Sequence, residues 1–246
     1  MSQFSAHTLR LAIIDLDGTM VDTSDDFAAA LNGMLAELSL APIARDEVIR
    51  YVGKGSENLL RSVLSHRTSA VALSADALHE AMTIYERHYA QVNGRFSALY
   101  PEVADGLRQM RANGLRLACV TNKPRRFAVD LLRGCGLIEQ FELIYGGDSW
   151  PRRKPDPQPM LEACKALGVS PAQAVAIGDS ENDAMAARAA GIASLTVPYG
   201  YNHGRSVQSI DTDAIVPTLL SAAQLIAPAG ASTLNPSYVP EQKTES

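Results

Sequence analysis

Leu11-Ala12-Ile13-Ile14-Asp15-Leu16-Asp17-Gly18-Thr19 is the stretch that decides the fold. Its apolar start closes abruptly on two carboxylates and a glycine. A short run of this kind, β-branched and without polar alternation, reads as a strand buried on both faces, the habit of parallel sheets. The same grammar recurs downstream. Leu115 to Val120 ends in Thr121-Asn122, Leu143 to Tyr145 in Gly146-Gly147-Asp148, and Ala174 to Ile177 in Gly178-Asp179. Ile192 to Val197 and Ala214 to Val216 are expected as further strands. Helical patterns alternate with them at about 103–112, 124–134, 157–168, 180–190 and 217–226. That alternation predicts an α/β fold, a doubly wound parallel sheet covered by helices on both faces.

One stretch interrupts the alternation. Ser24 to Leu40 is rich in Ala and Leu and carries Asp25 and Asp26 in its first turn, where the helix macrodipole favours acids. Ser74 to Val92 places Leu78, Met82, Tyr85 and Tyr89 on one helical stripe, which reads as packing. Residues 20–96 are therefore expected to be an all-α domain inserted after the first strand, with hinges at Met20–Thr23 and Ala98–Pro101. The core is assigned to 1–19 and 97–227, and the Pro-, Ser-, Thr- and Glu-rich segment 228–246 is expected to be a disordered tail.

Bulk composition narrows the class. The chain has 246 residues, 46% of them hydrophobic, enough for one large domain or a core with an insertion. A net charge of −5 argues against a nucleic-acid partner, which calls for a basic face. No stretch approaches the roughly 20 apolar residues that span a bilayer, so no membrane partner is expected. Met1 to Thr8 lacks the features of a secretory signal. Cys119, Cys135 and Cys164 are too widely spaced for a zinc site and too few for a disulfide frame, which suits reduced thiols and a cytoplasmic location.

The polar clusters fall at the expected carboxyl ends of strands, the edge at which open parallel sheets bind ligands. Asp15 and Asp17 alternate along an extended segment and would point the same way unless the following turn re-aims one. Such a pair can hold a divalent cation or divide nucleophile and acid/base roles; it can also be a plain Asp-Gly turn. Gly18 permits a tight exit, and Thr19 can offer a hydroxyl and a backbone N–H to a phosphate. Thr121 and Asn122 can hold phosphate oxygens or cap the helix after Pro124. Lys154, in Arg152-Arg153-Lys154-Pro155-Asp156-Pro157, is either a fixed cation for a phosphoryl group or for Asp15, or part of a solvated basic loop. Asp179 leaves a strand end directly, as a metal ligand would. Asp183 stands three residues after Ser180, so it can serve a helix cap as well as a metal site. The five histidines form no metal-binding spacing, and Val52-Gly53-Lys54-Gly55-Ser56 lacks the spacing of a P-loop.

The order D-L-D-G-T, T-N, K-P-D-P, G-D-S-x-x-D resembles the haloacid dehalogenase-type phosphatase superfamily from about Leu11 to Ile226, and residues 20–96 resemble its C1 cap. Tyr51-Val52-Gly53-Lys54-Gly55, Val120-Thr121-Asn122-Lys123-Pro124, Gly146-Gly147-Asp148-Ser149 and Tyr199-Gly200-Tyr201-Asn202 are similar to the phosphoglycolate phosphatases within it. The resemblance implies a Rossmann-like core and hydrolysis of 2-phosphoglycolate, a small phosphorylated metabolite, through an aspartyl-phosphate on Asp15. It implies proton transfer by Asp17, expected to be protonated in the substrate complex. Mg²⁺ would be held by Asp15, the Asp17 carbonyl and Asp179, with support from Asp183. Thr19, Thr121, Asn122 and Lys154 would bind phosphate. Lys54 would read the substrate carboxylate, or be an exposed lysine. The core motifs handle only the phosphoryl group. They leave open a capped phosphatase or phosphomutase for sugar phosphates or pyrophosphate, and a silent phosphometabolite-binding protein. The number of chains in the assembly is not legible.

Overall fold

The computed structural model describes residues 9–67 and 74–228. The expectations for Met1 to Thr8 and for the tail beyond Pro228 lie outside the described residues. In chain order the strands are β1 (Leu11–Ile14), β2 (Val21–Asp22), β3 (Ala98–Leu99), β4 (Arg116–Val120), β5 (Leu143–Tyr145), β6 (Ala174–Gly178), β7 (Ala193–Thr196) and β8 (Ala214–Ile215). The α-helices are α1 (Ser24–Glu37), α2 (Arg45–Val48), α3 (Ser56–Ser65), α4 (Ala75–Val92), α5 (Val103–Ala112), α6 (Arg125–Gly134), α7 (Gln158–Ala166), α8 (Glu181–Ala190) and α9 (Leu219–Leu225).

Six strands form one parallel sheet in the order β5-β4-β1-β6-β7-β8. β1 lies in its interior, with Ile14 opposite Cys119 of β4 and Ile177 of β6. Its wholly apolar sequence follows from burial on both faces. Ala12 and Ile14 join the core beneath α5, α6 and α9, whereas Leu11 and Ile13 join the core beneath α7 and α8. The crossover at β1 brings the ends of β1, β4 and β6 side by side, so Asp15, Thr121 and Asp179 converge although they are far apart in sequence.

Helices α1 to α4 lie between β2 and β3 and share their own apolar cluster, including Phe27, Leu31, Leu60, Val63, Tyr85 and Tyr89. Burying each such side chain contributes about 1.5–3 kcal/mol. Phe127 and Tyr201 of the α/β unit belong to the same cluster, so the inserted helices are seated on that unit. The two chain crossings pair as an antiparallel ribbon, Val21 opposite Leu99 and Asp22 opposite Ala98, where the sequence suggested hinges.

Two helix boundaries show what the pattern missed. The α4 helix starts one residue late because the Ser74 hydroxyl caps it, accepting from Ala77 N–H at 3.1 Å. The α1 helix stops at Glu37, short of the expected Leu40. Ser39 turns left-handed at φ 55° and Leu40 N–H reaches back to the Leu35 carbonyl, a Schellman-like closure made without glycine. Among the described residues, no helix is long and apolar enough to cross a membrane.

Candidate active site

The pairing of β1 runs one residue past the strand, since Asp15 N–H donates to the Ile177 carbonyl at 3.0 Å. The chain then wraps around Leu16, whose carbonyl accepts from the N–H groups of Thr19, Met20 and Val21. Gly18 makes this turn at φ +83°, and a Cβ there would stand 2.3 Å from Asp179 Oδ2, so the position needs glycine on both counts. The turn sends the two carboxylates apart instead of leaving them parallel. Asp15 Oδ1 lies 2.9 Å from Lys154 Nζ, while Asp17 Oδ1 accepts from Thr23 Oγ1 and Lys123 Nζ, each at 2.8 Å.

Lys154 is buried behind Asp15. Its ammonium also donates to Asp183 Oδ1 at 2.6 Å and to the Val120 carbonyl at 2.7 Å. With the Asp15 ion pair, three oxygens surround this ammonium. Of the roles open in the sequence, the structure shows Lys154 paired with Asp15, which lies at the floor of a cavity. Burial opposes its charge, but Asp15 and Asp183 outweigh burial and raise its pKa. Asp183 caps α8 and pairs with Lys154: Oδ1 meets Lys154, and Oδ2 accepts from Ser180 N–H and Oγ at the start of the helix.

Asp15, Asp179 and Asp183 each bring an oxygen within 4.8 Å of the others. Burial pushes the Asp15 carboxyl up to about 6 despite Lys154, with Asp183 adding to the rise. Burial, then Asp183 and Asp15, push Asp179 well above the usual carboxylate range. Three carboxylates, two buried and Asp15 half-buried, with one lysine among them carry excess negative charge. An all-oxygen donor set of this kind fits a hard divalent cation. The Asp17 carboxylate stands outside this cluster.

The cavity above Asp15 and Asp17 has a floor of Thr121, Asn122, Lys123, Asp179 and Ser180. Its roof comes from the inserted helices: Phe27, Val52, Gly53, Gly55, Ser56, Leu59, Tyr85 and Tyr89. Thr121 Oγ1 accepts from Lys123 N–H at 3.3 Å, which keeps its own proton available. Three of the expected site residues have contacts or places that the motifs do not specify, and Lys54 takes its exposed alternative. Thr19 is fully buried and its hydroxyl donates to Asp179 Oδ1 at 3.1 Å, so it braces that carboxylate instead of facing a phosphate. The Asn122 amide donates to the carbonyls of Gly53 and Lys154, both at 2.9 Å, and so straps an inserted loop to the core. Lys54 is exposed and lines a separate outer groove with Glu57, Arg61 and Arg153, because the loop presents Gly53, Gly55 and Ser56 to the cavity in its place.

Sequence reasoning gave no role to three residues that the site uses. Lys123 reaches Asp17; the hints were its place beside Thr121-Asn122 at a strand end and in the family-like stretch Val120-Thr121-Asn122-Lys123-Pro124. Tyr89, assigned to packing, also gives its hydroxyl oxygen to Lys123. Tyr201 N–H donates to Asp179 Oδ2, while its hydroxyl accepts from Thr23 N–H and donates to Asp22 at the chain crossing.

The fold and site define a class, and comparison with known proteins agrees. The haloacid dehalogenase-like hydrolase family matches residues 12–197, and the chain belongs to that family. Within it the chain stands among phosphatases. The phosphoglycolate phosphatase of Nitrosospira multiformis is 45% identical over 89% of this chain and 96% of its own length. The plasmid-encoded phosphoglycolate phosphatase of Cupriavidus necator is 44% identical over 88% and 93%. The crystal structure of a predicted phosphoglycolate phosphatase from Haemophilus somnus superposes with a TM-score of 0.84 at 30% identity, covering 89% of this chain and 98% of that one.

Proposed function

We propose that this chain is a Mg²⁺-dependent phosphomonoester hydrolase that works through an aspartyl-phosphate on Asp15 and takes 2-phosphoglycolate as its substrate. The observation that carries the reading is Asp15 itself, held 2.9 Å from a buried lysine, beside two further carboxylates and at the floor of a roofed cavity. The relatives named as phosphoglycolate phosphatases support the choice of substrate. We read the inserted helices as a cap that excludes water from the reacting atoms.

The steps follow from the side chains. Lys154 keeps Asp15 ionised in a buried position, so an Asp15 oxygen can attack phosphorus. As that bond forms, the bond to the bridging ester oxygen breaks, and Asp17 gives its proton to that oxygen. Thr121 donates its hydroxyl to a phosphoryl oxygen. Water then attacks phosphorus; Asp17 takes its proton, the bond to Asp15 breaks, and orthophosphate leaves. The Asp15 and Asp179 carboxylates and the Asp17 carbonyl, with Asp183 behind them, would hold Mg²⁺, which offsets the charge gathered around phosphorus.

A phosphate-release screen over small phosphate esters tests the reading, with Asp15→Asn as the blank. Mg²⁺-dependent release that favours 2-phosphoglycolate is expected. Release from sugar phosphates or pyrophosphate in preference would reassign the substrate, and none above the blank would remove the enzymatic reading.

A further inference from the structure

Lys123 leaves the end of β4 and is buried, its side chain only 1% exposed. Its Nζ stands 4.7 Å from the centre of the Phe27 ring and 4.8 Å from that of Tyr89, and donates to the Tyr89 hydroxyl oxygen. The same Nζ donates to Asp17 Oδ1 at 2.8 Å. Asp17 and Lys123 belong to the α/β unit, but Phe27 lies on α1 and Tyr89 on α4 of the inserted helices. The second donor to Asp17 Oδ1, Thr23, sits at the chain crossing between the two units. Among the described residues, Asp17 Oδ2 has no hydrogen-bond partner.

A buried ammonium needs its charge compensated. Here one carboxylate oxygen, two aromatic faces and a phenol do so, and all but the carboxylate come from the inserted helices. The orientation of Asp17 is thereby tied to the seating of α1 and α4 on the core. We infer that Lys123 is a positioning residue for acid catalysis: seated under Phe27 and Tyr89, it fixes Asp17 Oδ1 so that Oδ2 faces the leaving oxygen with the proton. The inference rests on the phosphatase reading above and adds the device that engages its proton carrier.

The test compares two leaving groups. Glycolate is a poor one and must be protonated as it departs, whereas p-nitrophenolate departs without a proton. Rapid-mixing measurement of the first product release isolates the step in which Asp17 acts as an acid. For Lys123→Met, glycolate release should slow by about 30-fold, within the 100- to 10,000-fold that acid catalysis supplies, and p-nitrophenolate release by less than about threefold. Tyr89→Phe, which keeps the ring and removes only the hydroxyl, should slow glycolate release preferentially by about threefold. It decides the matter should Lys123→Met fail to fold. Equal slowing of both products in either variant, or no slowing of glycolate release, overturns the inference. Absence of Mg²⁺-dependent release of either product from the wild-type enzyme would overturn the phosphatase reading and this inference together. Loss of the leaving-group difference alone leaves that reading intact.

Discussion

Asp15 and Asp17 are separated by one residue yet are governed by different parts of the molecule. Asp15 faces Lys154, whose other partners, Asp183 and the Val120 carbonyl, all belong to the α/β unit. Asp17 faces Lys123, whose remaining partners are Phe27 and Tyr89 of the inserted helices. Each aspartate thus has a buried lysine, but one pair is complete within a single unit and the other is completed by a second. The surroundings of Asp15 are complete within the α/β unit. Those of Asp17 depend on how the insertion sits.

The self-contained half is the one to break first. Lys154→Met should leave Asp15 and Asp183 without their counter-charge and lower phosphate release by roughly a thousandfold. In the metal-free protein the same change should cost about 3–5 kcal/mol of stability, read from urea unfolding. A loss below tenfold in activity would mean that Asp15 does not need this partner. The second contrast uses the metal. Saturating Mg²⁺, at a hundred times its dissociation constant, should stabilise the wild type by about 2.7 kcal/mol. Asp179→Asn should lose that gain and Asp17→Asn should keep it, because only the main chain of Asp17 is assigned to the ion. Equal loss in both variants would erase the division between the two aspartates. The smallest effect belongs to Lys54→Ala, which should change kcat/KM for 2-phosphoglycolate by less than about twofold, since an exposed side chain outside the cavity makes no contact that the transition state strengthens. A tenfold loss would return Lys54 to the site.

Much of the α/β unit was legible in the sequence because burial on both faces leaves a blunt record. Leu11 to Ile14 and Ala174 to Ile177 are apolar runs, and Leu115 to Val120 is apolar but for Arg116; all close on turn residues, and each appears as a parallel strand within a residue of its expected bounds. The convergence of Asp15, Thr121 and Asp179 followed from strand polarity alone. What escaped was the aim of side chains beyond the strand ends. The turn at Gly18 redirects Asp17, Thr19 braces Asp179, and Asn122 grips Gly53, none of which a motif encodes. Contacts between the two units were least visible. Tyr85 and Tyr89 lie on an ordinary helical stripe, and no spacing rule says that one of them meets a lysine 34 residues away. Lys54 takes its exposed alternative for the related reason that a loop places glycine, not its charged neighbour, against the cavity.

The central claim is that Asp15 carries the phosphoryl group. It is tested most directly by rapid acid quenching of the enzyme during turnover of radiolabelled 2-phosphoglycolate. The account predicts label bound covalently to the wild-type chain, released by hydroxylamine as an acyl phosphate is, located on Asp15 and absent from Asp15→Asn. Full turnover with no protein-bound label, or label that persists in Asp15→Asn, would contradict it.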